Sequence, residues 1–138
     1  MLPVTATTVR LFGHVLGAAV WVGGQIALAA VVPVIRRHAS PETTRAVARR
    51  FQLVAWPAYA LLVVTGVWNL LAVDAADQSA AYLTTLFVKL VLVAVSGIAA
   101  AGHIVFQRSR PALGGALAGV ALLAALGATL LGVNLAGG

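Results

Sequence analysis

The chain has 138 residues, of which 62% are hydrophobic and 9% are charged, and its mean hydropathy is +1.03. A soluble domain is roughly 25% charged, so this composition excludes a soluble globular protein and favours a lipid bilayer as the solvent. The sequence has no cysteine, which excludes disulfides, thiolate metal sites and cysteine nucleophiles, and Met1 is its one thioether. The net charge of +6 lies in loops between apolar runs rather than on one folded face, so we expect no nucleic-acid partner.

Four apolar runs are long enough to cross a membrane, which takes about 20 residues. Apart from Arg10 near the start of the first run and Lys89 in the third, they contain no Asp, Glu, Lys or Arg. The first run is too long for the apolar core of a cleaved signal peptide, which has roughly 7–15 residues. We therefore predict an all-α fold, an integral membrane antiparallel four-helix bundle that forms a single transmembrane domain over residues 1–138. The predicted spans are approximately 9–35, 51–73, 81–107 and 112–136.

The loop charges predict the orientation. The first loop carries five arginines against Glu42, the second carries Asp74 and Asp77 without a basic residue, and the third carries Arg108 and Arg110. Positively charged loops remain in the cytoplasm. We expect a multi-pass protein of the cell membrane with both termini outside.

Local signals predict where the helices start and how they pack. Ser40-Pro41 predicts a turn before the second helix, and Pro111 is acceptable in the first turn of the fourth. Gly13 and Gly17 form a GxxxG pattern in the first span, and a second pattern lies at residues 115 and 119. Small residues allow helices in lipid to approach closely, so we expect both patterns to pack against neighbouring helices.

Polar side chains within the spans fall on two stripes. His14 and Trp21 are seven residues apart in the first span with Gln25 one turn further on, and Lys89, Ser96 and His103 repeat every seven residues in the third. Polar residues in membrane helices face the protein interior, and interhelical packing is the favoured role for Trp21 and Gln25.

Depth separates these residues. His14 and Lys89 both lie a few residues from the outer ends of their spans, in a layer that also contains Asn69, Thr129 and Asn134. His103 lies about 21 Å deeper than Lys89 at 1.5 Å per residue. The two intramembrane histidines therefore do not form the axial pair of one haem, although His14 alone remains a candidate axial ligand. His103 is more simply an interfacial polar residue, and His38 is a solvated loop residue.

Catalytic motifs are scarce in the sequence. The spans contain no acidic residue, so they provide no carboxylate pair, proton-relay aspartate or hard-cation cage. No Walker motif and no dinucleotide fingerprint is present.

Two families resemble this sequence. Three segments resemble the copper-resistance protein D (CopD) family over most of residues 9–106. They are "HVLGAAVWVGG", "RRFQLVAWPAYALLVVTGVWNLL" and "FVKLVLV". This resemblance implies a membrane protein that binds or moves copper. The same order of motifs is similar to the HemJ-type protoporphyrinogen oxidases, which implies a haem b-associated histidine at His14 and a lysine required for activity at Lys89. The segment "ALAAVVPVIRRH" departs from the HemJ pattern, and His103 lies further from the lysine.

Three functions stay open from the sequence. The first is a CopD-like protein with copper bound at an outer-leaflet site by His14. The second is a haem b-binding redox protein or HemJ-like oxidase, with His14 as axial ligand and Arg10 or Lys89 pairing with the propionates. The third is a small accessory subunit of a larger membrane complex, in which polar residues only bond between helices. The expected partners are the lipid bilayer and either a second copy of the chain or a larger membrane complex. The candidate cofactor-binding residues are His14, Arg10 and Trp21, the candidate metal ligand is His14, and the candidate catalytic residue is Lys89.

Overall fold

A computed structural model describes residues 3–137 and contains four long helices in this range. They are α1 (Ala6–His38), α2 (Pro41–Leu71), α3 (Ala80–Phe106) and α4 (Pro111–Gly137), with a short 3₁₀ turn at Ala75–Asp77. The described residues contain no strand, which confirms the all-α class. Met1, the one thioether of the sequence, lies outside the described residues.

All four helices are long and apolar enough to cross a membrane. At 1.5 Å per residue the 33 residues of α1 extend about 50 Å, well beyond a hydrocarbon core of about 30 Å. Large apolar side chains such as Phe12, Val15 and Leu123 are 66%, 65% and 70% exposed, as expected for groups that face lipid. The protein is therefore a multi-pass membrane protein.

The predicted helix starts are confirmed. Ser40 precedes Pro41 and accepts a hydrogen bond from the backbone N–H of Thr43, which satisfies one of the unpaired donors of the first turn. Pro111 is the first residue of α4. The arginine-rich segment after Ser40 is helical, so α2 begins ten residues before its predicted span at residue 51.

The helices are described in two compact units, the first hairpin (residues 1–73) and the second hairpin (residues 74–138). In the first hairpin α1 packs on α2, and in the second α3 packs on α4. Both pairs are antiparallel, because residues further along the first helix of a pair contact residues nearer the start of the second helix.

Of the two GxxxG patterns, the first packs as predicted and the second does not. Gly13 and Gly17 are buried against α2, whereas Gly115 and Gly119 are exposed and a Cβ at either would meet nothing within 4 Å. The close approach of α4 falls instead at Gly114, where a Cβ would lie 2.7 Å from Cα of Gln107. Because α4 is apolar on all sides, its sequence pattern did not show which face meets α3.

Candidate functional site

The position of His14 depends on the close approach of α1 and α2. A Cβ on Gly17 would lie 2.8 Å from the carbonyl oxygen of Ala58 and 2.9 Å from the amide nitrogen of Leu62, so only glycine permits this spacing. The lack of a side chain at Gly66 makes room for the imidazole, since a Cβ there would lie 3.3 Å from Cε1 of His14. The half-buried ring therefore lies in the groove between the two helices.

The contacts of His14 determine its tautomer. Nδ1 lies 3.2 Å from the carbonyl oxygen of Leu62 and 3.2 Å from Oγ1 of Thr65. The Thr65 hydroxyl donates its hydrogen to the carbonyl of Leu61 at 2.6 Å, so its oxygen accepts from His14, as the Leu62 carbonyl does. Nδ1 is therefore the protonated nitrogen, and in the neutral ring the lone pair lies on Nε2. This arrangement, with one ring N–H donated to a backbone carbonyl, is typical of a metal-ligating histidine.

Two unsatisfied polar atoms lie one turn nearer the end of the same hairpin. Arg10 precedes His14 by four residues, so both lie on one face of α1. The contacts of Gly13 with Thr65 and of His14 with Gly66 set a register that brings Arg10 level with Asn69. Nε of Arg10 and Oδ1 of Asn69 are buried and have no hydrogen-bond partner among the described residues. Such atoms are costly unless a ligand or water pairs with them.

Trp21 forms an aromatic cluster near the middle of the first hairpin. Its ring is 4% exposed and lies 4.5 Å from the ring of Tyr59 and 5.6 Å from that of Trp56, measured between centroids. The amide of Gln25 donates to the carbonyl of Trp21 in its own helix. The ring contacts support the interhelical packing role favoured for Trp21, whereas the hydrogen bond of Gln25 stays within α1. A contact of Trp21 with a cofactor stays a prediction.

The Lys89 stripe faces α4. Nζ of Lys89 lies 3.1 Å from the position that a Cβ on Gly132 would occupy. Oγ of Ser96 donates to the carbonyl of Ala121 at 2.8 Å, and Nδ1 of His103 donates to the carbonyl of Gly114 at 2.8 Å. The stripe thus points into the hairpin as predicted, and His103 acts there as a structural hydrogen-bond donor.

A polar cavity of about 320 Å³ lies one turn from Lys89, at the end of the second hairpin where α3 begins and α4 ends. We call it the Lys89 pocket and define it by its polar lining residues Gln78, Ser79, Tyr82, Thr85 and Asn134.

The predicted site residues thus belong to two different hairpins. His14, Arg10 and Asn69 belong to the first hairpin, and Lys89 and Asn134 belong to the second. The layer predicted to join His14 with Lys89 stays a prediction. Thr129, also predicted in this layer, is exposed and donates to the carbonyl of Ala125 in its own helix.

Several residues of these sites were not predicted from the sequence. Thr65 and Gly66 appear there only within the CopD-like pattern, and their contacts with His14 depend on the register of α1 against α2. Tyr82 and Thr85 carry no sequence signal beyond their position near the start of a span.

The residues described offer different support for the two metals considered. Among residues 3–137, no group of three or more His, Cys, Asp or Glu side chains is placed to hold a metal ion. A copper centre of imidazole ligands needs at least two, and the two histidines of the first hairpin lie far apart along α1, with His14 near its start and His38 exposed at its last residue. A haem takes an axial imidazole, and His14 lies one helical turn from Arg10 on the same face of α1.

Comparisons with known proteins give no relative: no protein-family model, curated protein or solved structure matches this chain. The resemblances to CopD and HemJ proteins therefore rest on the quoted residues.

Proposed function

We propose that this chain is a haem b-binding membrane protein of the redox class, in which Nε2 of His14 would ligate the haem iron. The observation that carries the proposal is the Nδ1–H of His14, which has two acceptors, the Leu62 carbonyl and the Thr65 hydroxyl. A donated Nδ1–H also increases the basicity of the ligating nitrogen. Haem would supply one-electron chemistry to the protein, and the chain would bind and orient it.

Arg10 gives the second support. Its buried Nε–H lacks an acceptor among the described residues and lies one helical turn from His14. A carboxylate is the acceptor that guanidinium groups pair with most strongly, often through two parallel hydrogen bonds. We assign Arg10 to a haem propionate. Trp21 lies seven residues from His14 on the same stripe and remains a candidate to contact the cofactor from the deeper side.

The proposed orientation places this end of the first hairpin in the outer leaflet of the cell membrane. Its support is the five arginines of the first loop, which are exposed at the opposite ends of α1 and α2. Lys89 remains the candidate catalytic residue if the protein is a HemJ-like oxidase. Assembly with a second copy or with a larger membrane complex is compatible with the exposed apolar helices.

The test is an absorption spectrum and metal analysis of the protein purified in detergent. We expect a Soret band that His14→Ala abolishes. Thr65→Val removes one acceptor of Nδ1 at nearly constant shape and is expected to weaken haem binding about 10–100-fold, the usual effect of a group that orients a ligand. His38→Ala, at an exposed position at the end of α1, is the matched control and should leave the band unchanged.

The outcomes distinguish the alternatives. Copper at near-unit stoichiometry without a Soret band would reject haem and support the CopD-like interpretation. A protein with neither haem nor copper that co-purifies with a stable partner would support the accessory-subunit interpretation. A Soret band that persists in His14→Ala would reject His14 as the ligand.

A further inference from the structure

A half-buried cation, Lys89, lies next to the polar cavity without lining it. Thr85 precedes Lys89 by one turn of α3, and Leu135 follows Gly132 by about one turn of α4. Both Thr85 and Leu135 line the cavity, whereas Nζ of Lys89 packs against Gly132. The ammonium group therefore lies one turn below the cavity, as measured along both helices. Long side chains in helices project towards the N-terminus of their own helix, and the cavity lies at the N-terminal end of α3.

Among the described residues of its hairpin, Lys89 has no counter-ion. It is half-buried, and no described residue forms an ion pair or hydrogen bond with its ammonium group. The acidic residues of the second hairpin are Asp74 and Asp77, which are exposed in the loop before α3. A charge placed out of water in this way is costly unless an anion pairs with it. An anionic group in the cavity would provide that pairing.

The charges and hydrogen-bonding groups are ordered along the hairpin axis. Lys89 is the deepest, and Thr85, Tyr82 and Asn134 line the cavity above it. Asp77 directly precedes the lining residue Gln78. A ligand that fits this order carries its negative charge towards the membrane interior and a positive charge towards the water. Phosphatidylethanolamine has this arrangement, with a phosphate below a primary ammonium group.

The volume and surroundings favour a lipid over a free solute. The cavity of about 320 Å³ is at the small end of ligand pockets, which span roughly 300–1,000 Å³, and suits a headgroup. At the depth of Lys89 the side chains of Phe87 and Val133 are 67% and 68% exposed, so apolar surface is present where acyl chains would lie. We propose that the Lys89 pocket binds the phosphoethanolamine headgroup of a membrane lipid, with its phosphate paired to Lys89 and its ammonium group near Asp77. This proposal does not depend on the haem proposal.

Binding can be measured by native mass spectrometry of the delipidated full chain titrated with defined lipids. Phosphatidylethanolamine should bind with one-to-one stoichiometry and more tightly than phosphatidylglycerol, which has no ammonium group. Lys89→Gln should weaken its binding by about 10-fold or more, the loss expected for one charge-assisted hydrogen bond. Arg108→Gln removes one positive charge from the loop that joins α3 and α4, beyond the opposite end of α3, and is the charge-matched control.

A second variant keeps the test decisive if Lys89→Gln does not fold. Asp77→Asn changes an exposed loop residue, and it should remove the preference for phosphatidylethanolamine over phosphatidylglycerol while Asp74→Asn keeps it. The proposal is overturned if phosphatidylglycerol binds as tightly as phosphatidylethanolamine to the unmodified chain. It is equally overturned if soluble glycerophosphoethanolamine competes at the same concentration as the lipid, since the ligand would then be a solute.

Discussion

The close contact of α1 with α2 at Gly17 makes a quantitative prediction for Gly17→Ala. The added methyl group would lie 2.8 Å from the carbonyl oxygen of Ala58 and 2.9 Å from the amide nitrogen of Leu62. Both atoms belong to the backbone, so relief requires the helices to move apart rather than a side chain to rotate. Overpacking of this kind costs about 1–3 kcal/mol.

Helix propensity opposes this cost, and a second glycine separates the two effects. Alanine is favoured over glycine within a helix by up to about 1 kcal/mol. Gly23 lies on the same helix, is exposed, and a Cβ there would meet nothing within 4 Å. Gly23→Ala therefore gains propensity without overpacking. The difference in unfolding free energy between the two variants should equal the overpacking cost of about 1–3 kcal/mol, with Gly17→Ala the less stable.

The assay is unfolding by titration with sodium dodecyl sulfate, followed by tryptophan fluorescence. Trp21 and Trp56 report the same contact, because their rings lie 5.6 Å apart across α1 and α2. Equal stability of Gly17→Ala and Gly23→Ala would refute the close approach of the helices, and with it the groove that positions His14.

Three further predictions concern single residues. His103→Ala removes the donor to the carbonyl of Gly114 and should lower the unfolding free energy by about 0.5–1.5 kcal/mol in the same titration, while His38→Ala should change it by less than about 0.5 kcal/mol. Ser40→Ala removes the N-cap of α2 and should cost about 1 kcal/mol, measured by circular dichroism during thermal unfolding, whereas Ser40→Asn should restore the loss. Ala76→Cys introduces the sole cysteine in an exposed turn and should react with a membrane-impermeant maleimide from outside the cell; reaction from the cytoplasmic side alone would reverse the predicted orientation.

The helices could be predicted because lipid provides no hydrogen-bond partners for the backbone. Every N–H and C=O in the hydrocarbon region needs a partner within the protein, so a long apolar run becomes a helix. The start of α2 could also be predicted from the sequence, since Ser40 provides an N-cap and Pro41 favours the first helical turn. α1 nevertheless extends beyond its predicted span at both ends and α2 at its start, because hydropathy detects the membrane boundary and not the helix end.

The contacts of the candidate sites were harder to predict because they depend on register. The sequence placed His14 and Lys89 on polar stripes, but it did not show that Thr65 would accept from His14 or that Thr85 would line a cavity above Lys89. The second GxxxG pattern, at Gly115, failed for the same reason. Four-residue spacing identifies two small residues on one face without showing whether another helix lies against that face.

The scarcity of acidic residues links the two candidate sites. The acidic residue of the first hairpin is Glu42, which lies in the first turn of α2 beside Arg45, with Nη1 and Oε1 4.0 Å apart. That turn is at the end of the hairpin opposite Arg10, so Glu42 cannot neutralise it. Lys89 is likewise separated from the exposed aspartates of its own hairpin. Each hairpin thus holds a cation near one end without an acidic partner from its own helices, and burial makes such a cation costly. This placement favours an external anion at each site. The two anions differ, because one site offers a planar guanidinium near a histidine and the other an ammonium group below a cavity.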